Sequence, residues 1–189
     1  MIGQHIKQNG GSRVAIYLPN SIEFLAALFA GSFYRLTIIL LPYDHPSDAI
    51  ISMLEASKAD TIVAAAGSFP FDMVAKKYPA LKQVIWVVDE GSRHMDWNEV
   101  PTGTGGAVNV STWQEIIQDQ DLSVGTELPA TERGEEMKNI IAFWPSKDKG
   151  AGELVEYTHS NLVSGISAQL SGVPTTQRFG PAEIGRAHV

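Results

Sequence analysis

The sequence contains no cysteine. That absence excludes a disulfide framework, a thiolate metal site and a cysteine nucleophile. Positive charge is also scarce: 14 Lys and Arg stand against 21 Asp and Glu, for a net charge of −7. A nucleic-acid partner wants a basic face, so the balance argues against one. The five histidines are scattered, with no His-x-x-x-His pair and no acidic partner at ligand spacing, so no metal site is expected. Long apolar runs are missing as well. The longest, Leu36 to Leu41, is far too short for a transmembrane segment. The first residues, MIGQHIKQNGG, are too polar for a signal peptide. A soluble, cytoplasmic protein is the expectation.

What is present reads as an α/β chain. At 189 residues it can bury one real core, in one domain or a little more. Val14–Leu18, Thr37–Leu41, Thr61–Ala65, Val84–Val88 and Asn139–Phe143 are apolar and largely β-branched, as buried parallel strands should be. Between the first two lies a helix with Asn20 as its expected cap and Glu23 three residues on. Its expected core face is Ile22, Leu25, Ala26, Phe29 and Phe33, with Gly31 permitting close helix–sheet contact. A second helix starts near Pro46 and faces Ile50, Met53 and Leu54 inward, and a third runs from Phe71 to Lys77. Strand–helix alternation of this kind predicts a parallel sheet flanked by helices, joined by right-handed crossovers. From Asp89 to Gly106 the pattern breaks, which reads as an excursion outside the sheet. The stretch Ser111 to Glu115 then carries a cap followed by a short helix through Ile116 and Ile117, and Asp119 to Lys138 reads as an acidic surface linker. A last helix, from about Ser160 to Leu170, carries Leu162, Val163, Ile166 and Leu170 on one stripe.

The most informative stretch is Ile140 to Leu162, IIAFWPSKDKGAGELVEYTHSNL: a strand, a loop of small and charged residues, a second strand and a helix start. Backbone N–H groups in such a loop can converge on an anion, and Lys147 and Lys149 add positive charge. Ser146, Lys147, Lys149, Gly150 and Thr158 are therefore the candidates for holding the phosphates of ATP. The bland alternative is a solvated, charged β-turn between two strands. The run resembles the phosphate loop of adenylate-forming enzymes, the AMP-binding superfamily of acyl-CoA synthetases and luciferases. Thr158, His159, Asn161 and Leu162 stand as that motif has them. Glu153 falls where the family has a lysine, Gly152 where it has proline, and of the family's Ser-Gly-Thr-Thr-Gly only Ser146 and Gly150 remain. Earlier stretches resemble the same scaffold in order: Arg13 to Phe24, then Leu40-Leu41-Pro42 with Pro46, then Ala59 to Val63. The resemblance runs from Gly11 to Pro174 and corresponds to an early part of a family member.

The resemblance implies the N-terminal part of an adenylate-forming large domain. It further implies a parent enzyme that uses ATP and Mg²⁺ to convert a carboxylic acid, fatty or aryl, into an acyl-adenylate, often passed on to coenzyme A. Residues 1–182 are expected to be a partial AMP-binding domain, incomplete at both ends. Glu183 to Val189 (EIGRAHV) read as a translated sequencing-adapter tail. Such a fragment is expected to be inactive on its own, to bind no cofactor and to expose apolar helix faces. The alternative is a non-catalytic binding module built on the same fold, which the altered loop motivates.

Other constellations carry less. Thr158 or Ser160 is read as a helix cap, and His159, with no carboxylate partner or nucleophile in a motif, as structural. Thr102 to Gly106 has the look of a glycine loop but lacks a strand before it and a long helix after it, so it reads as a loop tip. Asp89, Glu90, Asp96 and Glu99 around Trp97 read as solvated carboxylates. Trp86 and Trp144 fall within strand patterns and are expected to pack in the core or at the sheet edge.

Overall fold

The computed structural model describes residues 1–88, 108–118, 138–144, 147 and 150–172. Seven strands form one sheet: β1 (Arg13–Tyr17), β2 (Thr37–Leu40), β3 (Thr61–Ala65), β4 (Gln83–Val87), β5 (Asn109–Thr112), β6 (Ile140–Trp144) and β7 (Glu153–Tyr157), in the spatial order β5-β4-β3-β1-β2-β6-β7. The five strands expected from β-branched runs form within a residue of their expected limits. All pairings are parallel except the last, where β7 returns antiparallel to β6, with Ala142 opposite Val155. The sheet is thus mostly parallel rather than wholly so. β5 was not expected, because Asn109-Val110-Ser111-Thr112 is short and polar; pairing with β4 makes it a strand. The cap expected between Ser111 and Glu115 is Thr112. Thr112 Oγ1 accepts from Glu115 N at 3.2 Å while Glu115 Oε2 accepts from Thr112 N at 2.8 Å.

The chain winds in two directions from the central β1. It moves one way to β2, and from β3 the other way to β4. Right-handed crossovers then demand helices on opposite faces. Successive strand residues point to alternate faces, and two cores divide the side chains accordingly. On one face Ile16, Ile38, Val63 and Ile85 pack with Ile6, Ala27 and Ile116, from α1 (Ile2–Gln8), α2 (Ile22–Phe33) and α5 (Trp113–Gln118). On the other, Ile39, Ile62 and Trp86 pack with α3 (Ser47–Ser57) and α4 (Phe71–Lys77). Ile50, Met53 and Leu54 of α3 point inward as their spacing requires, and α4 has its expected limits. Pro46 stands one position earlier than expected, as the residue capping α3.

α2 departs from expectation in two ways. Its cap is Ser21, whose Oγ accepts from Phe24 N at 3.2 Å, in place of Asn20. Its contact face is also the reverse of the one its large residues suggest. Ile22 is 81% exposed, and Leu25, Phe29 and Phe33 are about half exposed, whereas Ala27 and Gly31 are buried. The reason is close approach. A Cβ on Gly31 would stand 2.7 Å from Ile38 Cγ1, so the sheet seats directly against the small-residue side of the helix. α6 (His159–Gly172) likewise leaves Val163, Ile166 and Leu170 exposed, and only Leu162 of its stripe is half-buried. α1 was not expected, because it is short and mostly polar; Ile2 and Ile6 anchor it in the core.

The amino ends of the central strands are fastened by one buried carboxylate. Asp60 accepts from Ser12 N, Ser12 Oγ (2.6 Å), Arg13 N and Thr61 Oγ1, while Tyr78 Oη donates to Ala59 O at 2.7 Å. Charge-assisted bonds of this kind are strong, and they fix β1 against β3. The opposite, carboxyl ends are left for loops.

Candidate functional site

In open α/β sheets ligands bind outside the carboxyl ends of the strands. There the structure has a cleft of about 540 Å³ at the ends of β1, β2 and β6. Leu18 and Leu41, both buried and each one residue past its strand, and Ala142 on β6 line it. Phe24 on α2, Phe143 at the end of β6 and Tyr43 complete much of the wall. Tyr43 packs against Tyr17 with ring centroids 5.1 Å apart and planes tilted by 32°, and Tyr17 Oη accepts from Asp44 N at 3.2 Å. Burial pushes the Tyr17 phenol up from its ordinary value, which keeps it protonated. None of these residues was singled out from the sequence as ligand-binding. They come from three separated segments and share no motif; the one usable signal is that each follows a β-branched run at its carboxyl end.

The β6–β7 connection leaves the sheet after Trp144. Of the phosphate candidates, Lys147 is exposed and Gly150 half-buried, while Ser146 and Lys149 lie outside the described residues. Gly152, at φ +71°, has the left-handed backbone that glycine tolerates, and it turns the chain into β7. Glu153, the first residue of β7, is exposed and pairs across the sheet with Trp144. Thr158 caps α6. Its Oγ1 accepts from Asn161 N at 3.2 Å and donates to Asn161 Oδ1 at 2.7 Å, and Asn161 Oδ1 also accepts from Thr158 N. This reciprocal arrangement satisfies both groups locally. Thr158 therefore positions the helix behind the loop, as the capping reading required, and its hydroxyl is committed to that task.

Two of the tryptophans are placed differently from one another. Trp86 is fully buried between Phe69 and Phe71, and its Nε1 has no hydrogen-bond partner among the described residues. Trp144, expected to pack, is instead 65% exposed, because it ends β6 where the sheet runs out into solvent. The Thr102–Gly106 loop and the Asp89, Glu90, Asp96, Glu99 and Trp97 cluster lie outside the described residues. Among the described residues no group of three His, Asp or Glu side chains could hold a metal ion, and no helix is long and apolar enough to cross a membrane.

Several solved structures share this architecture. A fatty acyl CoA synthetase of Mycobacterium tuberculosis superposes with a TM-score of 0.57 at 18% identity, over 92% of this chain and 30% of that one. A red-emitting luciferase of Phrixothrix hirtus gives 0.62 at 19% identity, over 84% and 36%. The A domain of a carboxylic acid reductase of Segniliparus rugosus, solved with AMP and a co-purified carboxylic acid, gives 0.60 at 17% identity, over 82% and 25%. The chain thus spans between a quarter and somewhat over a third of the length of these proteins. Among curated proteins, none matches the sequence. The sequence model of the AMP-binding enzymes matches residues 4–135, most of the chain, and with the doubly wound sheet and its carboxyl-end cleft this establishes that the chain belongs to the AMP-binding enzyme family.

Proposed function

We propose that this chain is the nucleotide-side sheet of an AMP-dependent carboxylic acid ligase. In that reaction a carboxylate oxygen attacks the α-phosphorus of ATP, the bond to the β,γ-phosphates breaks, and acyl-adenylate and pyrophosphate form. A thiol such as that of coenzyme A then attacks the acyl carbon and AMP leaves. The observation that carries this reading is that, in a chain of the AMP-binding family, β6 runs out beside the cleft and Lys147, three residues past its end, is exposed. Ser146, Lys147, Lys149 and Gly150 would hold the phosphates, by backbone N–H groups and ammonium charge. Thr158 would hold the helix start behind them. Mg²⁺ would come with the phosphates of ATP, a mode that asks for few protein ligands.

By itself the chain is proposed to be catalytically inactive, because it spans only 25% to 36% of the length of the proteins it superposes on. A second reading, a binding module without catalysis, is favoured by one observation: Glu153 stands exposed at the foot of the loop, where its charge opposes a triphosphate. Thermal melting of the purified 189-residue chain with millimolar ATP–Mg²⁺ separates the two. Anything that binds only the folded state raises its melting temperature. A rise that Lys147→Glu abolishes supports the phosphate site, and no rise supports the module. Pyrophosphate release from ATP and carboxylic acids by this chain would overturn the claim of inactivity.

A further inference from the structure

We propose that Asn9 is a site of spontaneous deamidation, guarded by a clasp between α1 and β5, and that its conversion unfastens α1 from the sheet. Asn9-Gly10 is the one Asn-Gly pair in the sequence. The chemistry needs only these two residues and water. The Gly10 nitrogen attacks Asn9 Cγ and a five-membered imide closes. The bond from Cγ to Nδ2 breaks, and ammonia leaves with the proton that the Gly10 nitrogen gives up. Water then opens one of the two C–N bonds of the imide. Opening at Cγ leaves aspartate, whereas opening at the main-chain carbonyl leaves isoaspartate, whose chain runs on through Cγ. Glycine favours the first step because no Cβ crowds its nitrogen. Gly10 is exposed, and a Cβ built on it would meet nothing within 4 Å, so water has access.

The fold keeps the two reacting groups apart. Asn9 closes α1 with ψ at 16°, which sets the Gly10 nitrogen near the nitrogen of Asn9, whereas ring closure needs it on the Cβ side. Gly10 N–H donates to Lys7 O at 3.0 Å. Asn9 Nδ2 donates to His5 O at 2.9 Å, and Asn9 Oδ1 accepts from Asn109 Nδ2 on β5 at 2.7 Å. The amide is thus tied at both of its polar atoms. Lys82 Nζ also donates to Gly10 O at 3.2 Å. Asn109 and Lys82 are exposed, so water competes for their bonds and the last turn of α1 opens locally more often than the chain unfolds. Conversion reverses the clasp. The donor to His5 O becomes a carboxylate oxygen, which can only accept. Its charge faces the unpaired carbonyls at the negative end of α1. Isoaspartate also lengthens the main chain by one carbon, which draws Gly10 and Gly11 N–H away from Lys7 O and Ile6 O. α1 carries Ile2 and Ile6 into the core, so one wall of that core loosens with it. None of this depends on the phosphate loop.

The test incubates the 189-residue chain at mildly alkaline pH and follows Asn9 by peptide mapping, with isoaspartate read by enzymatic carboxyl methylation. In urea the peptide holding Asn9 should convert faster than that of any other asparagine. In the folded chain the same conversion should run slower by about tenfold or more, the protection of a closed local structure. Asn109→Ala, which frees Asn9 Oδ1, should speed conversion of the folded chain severalfold and leave the rate in urea unchanged. Should Asn109→Ala fail to fold by circular dichroism, Lys82→Ala, which frees Gly10 O, decides the matter in the same way. Asn9→Asp, or the converted chain itself, should lose hydrogen-exchange protection at the Asn9, Gly10 and Gly11 N–H groups while β1 and β3 keep theirs. Equal rates in the folded chain and in urea, or no acceleration in the released variant, would overturn the guard. Protection in Asn9→Asp equal to that of the parent would overturn the unfastening.

Discussion

α2 and α3 lie against opposite faces of the same sheet and use their apolar residues in opposite ways. α3 sinks Ile50, Met53 and Leu54 into the core and leaves Ser52 and Glu55 in water. α2 is apolar all round. It gives the sheet Ala27 and Gly31 and leaves Ile22, Leu25, Phe29 and Phe33 outside, with the two phenylalanine rings stacked 6.3 Å apart. Dispersion falls steeply with distance, so a helix that can seat its backbone near Ile38 gains contact that bulky side chains would hold away. Size alone therefore does not decide which face of a helix goes inward. The face left in water on α2 is a contiguous apolar stripe of the kind that marks interaction surfaces.

The largest test of this contrast is Leu54→Ala. Leu54 is fully buried, and such truncations cost about 2–5 kcal/mol; the urea midpoint should fall accordingly. Gly31→Ala should come next. Overpacking against Ile38 costs about 1–3 kcal/mol, offset by about 1 kcal/mol of helix propensity. A gain in stability would show that the close approach is not what seats α2. The two faces should also part company with pH. His5, on the α2 face, contacts Ser111 Oγ at 3.2 Å, and burial lowers its pKa from 6.5. Its neutral form is favoured in the folded state. The stability it contributes is present above pH 6.5 and is lost as pH falls through the lower folded value. On the α3 face burial raises the pKa of Tyr17 and Tyr78 above 10.0, so their contribution is present below pH 10 and is lost as pH rises through the folded values. Hydrogen exchange should show acid loosening α1 first; His5→Asn should remove that step, and its persistence would refute the assignment. The smallest effect belongs to Phe33→Ser, expected to stay within about 0.5 kcal/mol at an exposed site. A larger loss would mean that the outer stripe is packed.

The strands were legible because buried parallel strands must be runs of β-branched residues, and Thr61–Ala65 is such a run. α3 was legible because only one of its sides is apolar. α2 misled for the converse reason: with large apolar residues at both phases of the helical period, the period cannot say which phase faces the sheet, and Gly31 was the better guide. α1 and β5 left little trace, since Ile2, Ile6 and the NVST stretch take their structure from partners distant in sequence. Of the site, the Thr158 cap could be read because capping is local chemistry among four residues. The cleft could not, because Leu18, Tyr43 and Phe143 meet only after the β1–β2 crossover and the long return of the chain to β6 beside β2.

The order of the strands also sets an order in time. β1, β2, β3 and β4 pair with neighbours a few tens of residues away in the chain, whereas β6 reaches β2 across the pairing of Ile38 with Ile140. Closing so long a loop must precede any reward from its contacts, which slows the step. The β6–β7 hairpin, and with it one wall of the cleft and the whole β6–β7 loop, is thus expected to dock last, onto a sheet already built. Weakening that hairpin should then speed unfolding and leave the folding rate nearly untouched.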